Sequence, residues 1–339
     1  MKVSGVRRTA SALLAACVAT VGLLAVGISP AAAAPLAYTT VFTDGGCQIV
    51  TVDIANGTTT VLSAAPDPAA CVRDLAVAPD GSLWGIDEVE DSGGPEVTLV
   101  QFDPATGAIL DSGLLTGTFD FSSLESGGIA FDAAGTLYVH MVTDQFGCFG
   151  AFVCLYRVDP ATRASTFVGP SFQPEIPMFF LTANCAGAML TSQFNGLVTS
   201  VPSSGIEHPD VDTSAPPEWP DVSAQNSLFE QVLSSVNTSN GIVIPSIVLP
   251  PNFDVLGIEY DRVSGILYAI GLEESPNATT PDDVGVAQPF NDIAVFVVDP
   301  TTGDITLAAN FNDKAGFPQG LAIGGECEEE APLVVSFTG

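Results

Sequence analysis

The sequence is poor in positive charge. Its 339 residues hold 8 Lys and Arg against 39 Asp and Glu, for a formal net charge of −31. A field of that sign repels phosphate backbones and anionic headgroups, which argues against nucleic acid and lipid surfaces as partners and admits cations. Histidine is equally scarce, with His140 and His208 alone, and two histidines do not build a zinc centre by themselves. No Gly-x-Ser-x-Gly elbow marks a serine nucleophile, and no Gly-Lys-Ser loop marks phosphate chemistry. None of the acidic stretches has the Asp/Asn spacing and closing Glu of an EF-hand loop. Past residue 28 there is no long apolar run, so the mature chain is expected to be soluble and not inserted in a membrane.

The one long apolar run opens the chain. Lys2, Arg7 and Arg8 precede an apolar segment from Ala10 to Ile28, and Ala31-Ala32-Ala33 follows as a small-residue cleavage site. Residues 1–33 therefore read as a Sec-type signal peptide and the mature protein as secreted. Removing the leader takes three of the basic residues with it and leaves six cysteines, Cys47, Cys71, Cys148, Cys154, Cys185 and Cys327. An even count in an exported chain reads as three disulfides.

What the chain has in plenty is turn residues, 33 Gly and 25 Pro, set between short apolar runs that recur. Val50-Thr-Val-Asp53, Val100-Gln-Phe-Asp103, Tyr156-Arg-Val-Asp159 and Phe296-Val-Val-Asp299 align, apolar at the first and third positions as in a half-buried strand. Each ends in Asp and runs into a turn, such as Asp103-Pro-Ala-Thr-Gly107 or Asp299-Pro-Thr-Thr-Gly303. Asp bonds its own backbone two residues on and Gly accepts the left-handed exit, so these aspartates read as turn formers, not ligands. Arg163 replaces that Gly in one copy and marks a turn with a different exit.

A second phrase supplies the preceding strands. Leu75-Ala-Val, Ile129-Ala-Phe, Leu181-Thr-Ala, Ile258-Glu-Tyr and Leu321-Ala-Ile are first strands; Ser82-Leu-Trp, Thr136-Leu-Tyr and Ile266-Leu-Tyr open second strands. Four short strands per repeat of roughly 50 residues is the pattern of an all-β propeller with antiparallel blades. Five first strands give five blades. The last starts near the C-terminus, so one blade is completed from both ends of residues 34–326, which closes the ring without free edges. A six-bladed ring is the alternative, its extra blade falling between Leu181 and Ile258. That stretch reads instead as an insertion over about 202–240, with Ser227-Leu-Phe-Glu230 as a capping box opening a short helix. A second insertion covers 273–292. Residues 327–339 are an acidic tail followed by an edge strand or a linker.

In such a meander, second-to-third loops and inter-blade connections share one face, and the other turns share the opposite one. Cys47 pairs in face with Cys71, Cys148 with Cys154, and Cys185 with Cys327. Sequence alone does not fix the connectivity.

The phrases Ile-Ala-Phe-Asp-x-x-Gly-x-Leu-Tyr and Val-Asp-Pro-x-Thr-Gly resemble the repeats of extracytoplasmic bacterial propellers, the broad class with NHL and YVTN repeats and gluconolactonase-like enzymes. The resemblance spans most of residues 36–325 and implies a fold far more than a function. Gluconolactonase-like enzymes hold a metal with carboxylates and amides at the axis. By topology the matching positions here are Glu125 and Asp254, four residues upstream of Ile129 and Ile258, with Asp74 and Glu175 nearby. Four converging carboxylates suit Ca²⁺ or another hard divalent ion. The motif itself departs from the family: no Asn pair stands at equivalent places, and Cys71 fills the aligned slot of another blade. Glu88, Glu90, Asp91 and Glu96, and Glu273, Glu274, Asp282 and Asp283, are expected on loops of the same face. His140, among Leu137, Val139 and Met141, reads as a structural strand residue, and His208 as exposed.

The expectation is a monomeric, secreted, non-catalytic binding module whose ligand is an extracellular protein, a glycan or a small molecule. The alternatives are a metal-dependent lactonase or glycan hydrolase using the four axial carboxylates, and a structural module of a surface assembly.

Overall fold

The structure, a computed structural model, describes residues 36–43, 46–62, 67, 70–91, 94–117, 125–142, 153–171, 178–196, 229–250, 253–273, 293–311, 317–325 and 327. Met1–Ala34 and Pro35–Gly339 are separate units, and every described strand belongs to the second. The first strands in sequence are β1 (Leu36–Thr43), β2 (Gly46–Asp53) and β3 (Thr59–Val61). Four complete blades follow. The first comprises β4 (Asp74–Val77), β5 (Leu83–Asp91), β6 (Gly94–Phe102) and β7 (Ile109–Leu114). The second comprises β8 (Glu125–Phe131), β9 (Leu137–Val142), β10 (Val153–Asp159) and β11 (Ala164–Pro170). The third is β12 (Met178–Ala183), β13 (Met189–Gly196), β14 (Phe229–Val236) and β15 (Val243–Val248). The fourth is β16 (Phe253–Tyr260), β17 (Leu267–Glu273), β18 (Ile293–Val298) and β19 (Ile305–Asn310).

The closing blade has the order β20-β1-β2-β3, with β20 (Phe317–Ile323) as its innermost strand. The five-bladed ring read from the repeats is thus the one found, sealed by antiparallel pairing of β1 with β20. One element differs. Phe229–Val236, expected to open as a helix, is the third strand of its blade, paired residue for residue with β13. The capping-box pattern is local, whereas eight cross-strand partners bury Val232 and Leu233 at 2% and 0% exposure, and packing wins over capping. The connection inserted in that blade is therefore 197–228.

Alternation along the strands builds the core as five separate interfaces. In β9, Leu137, Val139 and Met141 face Ile86 and Leu99 of the first blade, while Tyr138 faces Leu181 and Met189 of the third. In β17, Leu267 and Ala269 pack towards Leu233 and Ile247 of the third blade; Tyr268 and Ile270 pack towards Ala37 and Leu321 of the closing one. The interface between closing and first blades, with Ile49 against Leu75 and Phe102, completes the circle. Because both faces of each blade are covered, every second residue goes to a different neighbour. Each fully buried Leu or Ile contributes about 1.5–3 kcal/mol.

The third-to-fourth strand turns repeat five times. The amide of the fifth turn residue donates to the carbonyl of the first: Gly57 to Asp53, Gly107 to Asp103, Arg163 to Asp159, Gly241 to Asn237 and Gly303 to Asp299, at 2.7–2.9 Å. The leading side chain in turn accepts from the amide two residues on, as with Ala105 N–H to Asp103 Oδ1 at 2.9 Å. Such amides hold the Asp103 and Asp299 carboxyls below their usual range, as the Thr162 hydroxyl and then the Ala161 amide do for Asp159, and the aspartates are turn formers. Asn237 heads a fifth copy that the sequence reading placed in the insertion.

Arg163 keeps the left-handed exit, φ 57°, as the one described non-Gly residue with positive φ. Its guanidinium pairs with Asp111 and lies over Gly113, where a Cβ would sit 2.8 Å from Cζ. The strain of a side chain in that region, about 1–2 kcal/mol, is set against a half-exposed ion pair of about 0–1 kcal/mol. Arg163→Gly should accordingly leave stability within about 1 kcal/mol of the parent. A loss of several degrees in the thermal melt would show that the contact with Gly113 and Asp111 dominates instead.

Candidate functional site at the axis and the loop face

The inner strands β4, β8, β12, β16 and β20 touch their neighbours around the ring, and at the axis they approach within backbone contact. A Cβ on Gly128 would lie 2.1 Å from the Leu181 nitrogen, one on Gly257 2.6 Å from the Gly320 carbonyl carbon, and one on Gly320 2.9 Å from Asp74 Cα. Asp74 and Phe180 are thus the side-chain-bearing members of a level that is glycine in the three other blades. The Asp74 carboxylate fills the space the glycines leave. Oδ1 accepts from Leu75 N–H and Oδ2 from Ile129 N–H, both at 3.0 Å, and the Leu181 amide donates as well. At 1% exposure, burial pushes the Asp74 carboxyl well above the usual carboxylate range; the Ile129 N–H opposes this and Glu259 adds to it.

Asp74 does not share a level with Glu125 and Asp254. It pairs with Ile86, the fourth residue of β5, whereas Glu125 and Asp254 pair with Val142 and Leu272, the sixth residues of β9 and β17. Register shifts between Ser126 and Ile129 and between Val255 and Gly257 give those two a common level nearer the loop face. Asp74, in a strand without a shift, lies two residues deeper, where backbone donors hold its carboxylate. Glu175 lies outside the described residues, as do the side chains of Glu125 and Asp254. Among the described residues no three His, Cys, Asp or Glu come together as a metal set.

Glu259 is the axial residue the sequence reading missed. In the Ile-Glu-Tyr phrase it looked like one more alternating strand position, yet it is 3% exposed. Thr182 Oγ1 donates to its Oε1 at 2.9 Å, and the Tyr260 amide reaches it at 3.2 Å. Burial pushes Glu259 up to about 8 against Arg262, Thr182 and the Tyr260 N–H. Arg262, 7% exposed, gives Nη2 to the Phe131 carbonyl at 2.5 Å, and its Nη1 has no hydrogen-bond partner among the described residues. A signal was available. The other four blades have Ala76, Ala130, Thr182 and Ala322 at the position of Glu259, and a large acid among small residues marks a special place.

The acidic residues expected on loops divide. Glu88, Glu90, Asp91 and Glu96 belong to β5 and β6, which continue pairing outward as far as Asp91 with Gly94, and Glu273 ends β17. The hairpin outlasts the core because cross-strand pairing needs no inter-blade contact. Glu274, Asp282 and Asp283 lie outside the described residues. His140 is a core residue, 0% exposed, with Nε2 3.3 Å from Ser171 Oγ. Burial lowers it to about 3. Ser171 is equally buried, so the pair offers no nucleophile to a substrate.

Two disulfides are described. Cys47–Cys71 ties the closing blade to the connection entering the first, and Cys185–Cys327 joins the ends of β12 and β20 on the opposite face. Cys154 is also disulfide-bonded, while Cys148 lies outside the described residues. Among the described residues no helix is long and apolar enough to cross a membrane.

No protein-family model and no curated protein matches the chain. Among solved structures it is similar to TolB from Acinetobacter baumannii, at 12% identity and TM-score 0.41, covering 80% of this chain and 52% of that one. The chain therefore spans about half the length of TolB. A gluconolactonase from Xanthomonas campestris matches at 13% identity and TM-score 0.41, with 87% and 84% covered. Regucalcin from Agrobacterium tumefaciens, a calcium-binding protein, matches at 12% identity and TM-score 0.36, with 80% and 77% covered. What the chain has in common with these bacterial β-propeller proteins is the fold.

Proposed function

We propose that this protein is an exported, non-catalytic binding module that receives its ligand on the face where second-to-third and inter-blade connections emerge. The supporting observation is the unequal length of connections on the two faces. On one face the connections within blades are tight turns closed by backbone bonds, such as Ala78–Ser82, Asp132–Thr136 and Asn184–Ala188. On the other, β9 to β10, β13 to β14 and β17 to β18 are joined by 143–152, 197–228 and 274–292. Long connections on a rigid scaffold are where recognition residues collect. The axis beneath them is filled by Asp74 and close-packed backbone, which favours a surface ligand over one held in a central channel. Calcium remains part of this reading, with Glu125 and Asp254 at a common level nearer that face and Glu175 as a further expected ligand.

The test replaces 197–228 and 274–292, singly and together, with short Gly/Ser hairpins. The variants should melt within about 1–2 kcal/mol of the parent, since long surface connections add little closure entropy, and should lose binding to immobilised extracellular proteins and glycans that the parent retains. Binding unchanged in the double variant would move the ligand site elsewhere. Lactone hydrolysis by the parent that Glu125→Gln and Asp254→Asn abolish would replace this reading with the enzymatic one. Thermal melts with Ca²⁺ and with chelator, on the same two variants, decide whether the ion belongs to the face.

A further inference from the structure

Five blades meet at one small polar cluster, and its charges do not balance. β4 brings Asp74; β16 and the turn after it bring Glu259, Tyr260, Asp261 and Arg262. β12 adds Thr182, β8 the Ile129 amide and Phe131 carbonyl, and β20 the Gly320 backbone, none of which titrates. Tyr268, opposite Glu259 in β17, is neutral over the relevant range. Asp261 spends its carboxylate on the Val263 amide and the Ser264 hydroxyl. Among the described residues of this cluster Arg262 is the one cation beside two further buried carboxyls; its charge acts on Glu259, and it gives one nitrogen to a carbonyl instead of to an acid. Two like charges in a dry site do not both ionise beside one cation.

We propose that Asp74 and Glu259 together retain one proton near neutral pH, so that closure of the ring is tied to the acidity outside the cell. The proton belongs to the pair and not to either residue. Its release leaves an uncompensated charge where all five inner strands touch, which loosens every blade at once. The linkage has a definite sign. A carboxyl raised to about 8 in the folded chain adds stability that is complete below its ordinary value and is lost as pH rises through 8. His140, lowered to about 3, works in the opposite direction, its contribution being present above about 6.5 and lost as pH falls.

Urea unfolding from about pH 5 to pH 8.5 separates the two. In the parent, the opposing groups should hold the folding equilibrium nearly level between about pH 5 and 6.5, then lower it roughly tenfold by pH 8. The double variant Asp74→Asn/Glu259→Gln should remove that fall and expose the histidine, with the equilibrium rising more than about tenfold from pH 5 to 6.5 and level above. An alkaline fall that persists in the double variant, or a parent with no such fall, overturns the proposal. Should the variant not fold, infrared difference spectra of the parent between about pH 6 and pH 9.5 decide. A buried carboxylic-acid carbonyl band that disappears over this range supports the shared proton, and its absence at the acid end refutes it.

Discussion

Gly128→Ala should destabilise the ring by about 3 kcal/mol, enough to lower the melting temperature by about 5 °C. The added methyl would lie 2.1 Å from the Leu181 nitrogen and 2.4 Å from the Phe180 carbonyl carbon. Neither atom can turn aside as a flexible side chain would, because Leu181 N–H is itself held by Asp74. Relief must come from moving β8 away from β12, and that opens the axis on both sides. The control is Gly187→Ala in a turn with φ +80° and nothing within 4 Å of the new Cβ. It carries only the left-handed strain of about 1–2 kcal/mol. Thermal melts of the two variants compare space with backbone conformation directly. Equal losses would mean that the inner strands slide apart cheaply and that the axis is not close-packed in solution.

Removing the Cys185–Cys327 bridge should be the second large effect. It closes a sequence separation of 142, against 24 for Cys47–Cys71. If a cross-link acts mainly by restricting the unfolded chain, the longer loop contributes about 5 kcal/mol and the shorter about 3.5. The Cys185→Ser/Cys327→Ser variant should thus lose about 1.5 kcal/mol more than Cys47→Ser/Cys71→Ser in urea unfolding. Position enlarges the consequence. The bridge fastens β20, the innermost strand of the blade assembled from both chain ends, to the third blade across the axis. Opening it lets the β1–β20 pairing fray as a local event, so amide exchange in β20 should rise before exchange in β9 or β17. Matching losses in the two double variants would show that closure rests on strand pairing alone.

Much of the architecture was legible because it repeats. Val-Asp-Pro-x-Thr-Gly names a strand, its turn and its register in one phrase, and five first strands imply five blades. Arg163 stood out because three copies with Gly supplied the rule, yet the different exit expected for it is not found: it adopts the same left-handed conformation. The turn at Asn237 and the strand before it were overlooked because the blade carries a long insertion and an Asn in place of Asp. A capping-box pattern then filled the gap. The disulfide pairs could be matched in face for a similar reason, since strand order fixes which loops share a side.

The sequence by itself determined the strands, the turns, the number of blades and the acidic character, all of which depend on residues near one another or repeated along the chain. The tertiary structure alone decided what lies on the axis. Two backbone register shifts separate Glu125 and Asp254 from Asp74, and three glycines bring strands from different blades into contact. Glu259, Thr182 and Arg262 become one polar cluster only where those strands converge. Burial and the charge balance of that cluster arise from residues as far apart as Asp74 and Arg262, which no local pattern connects.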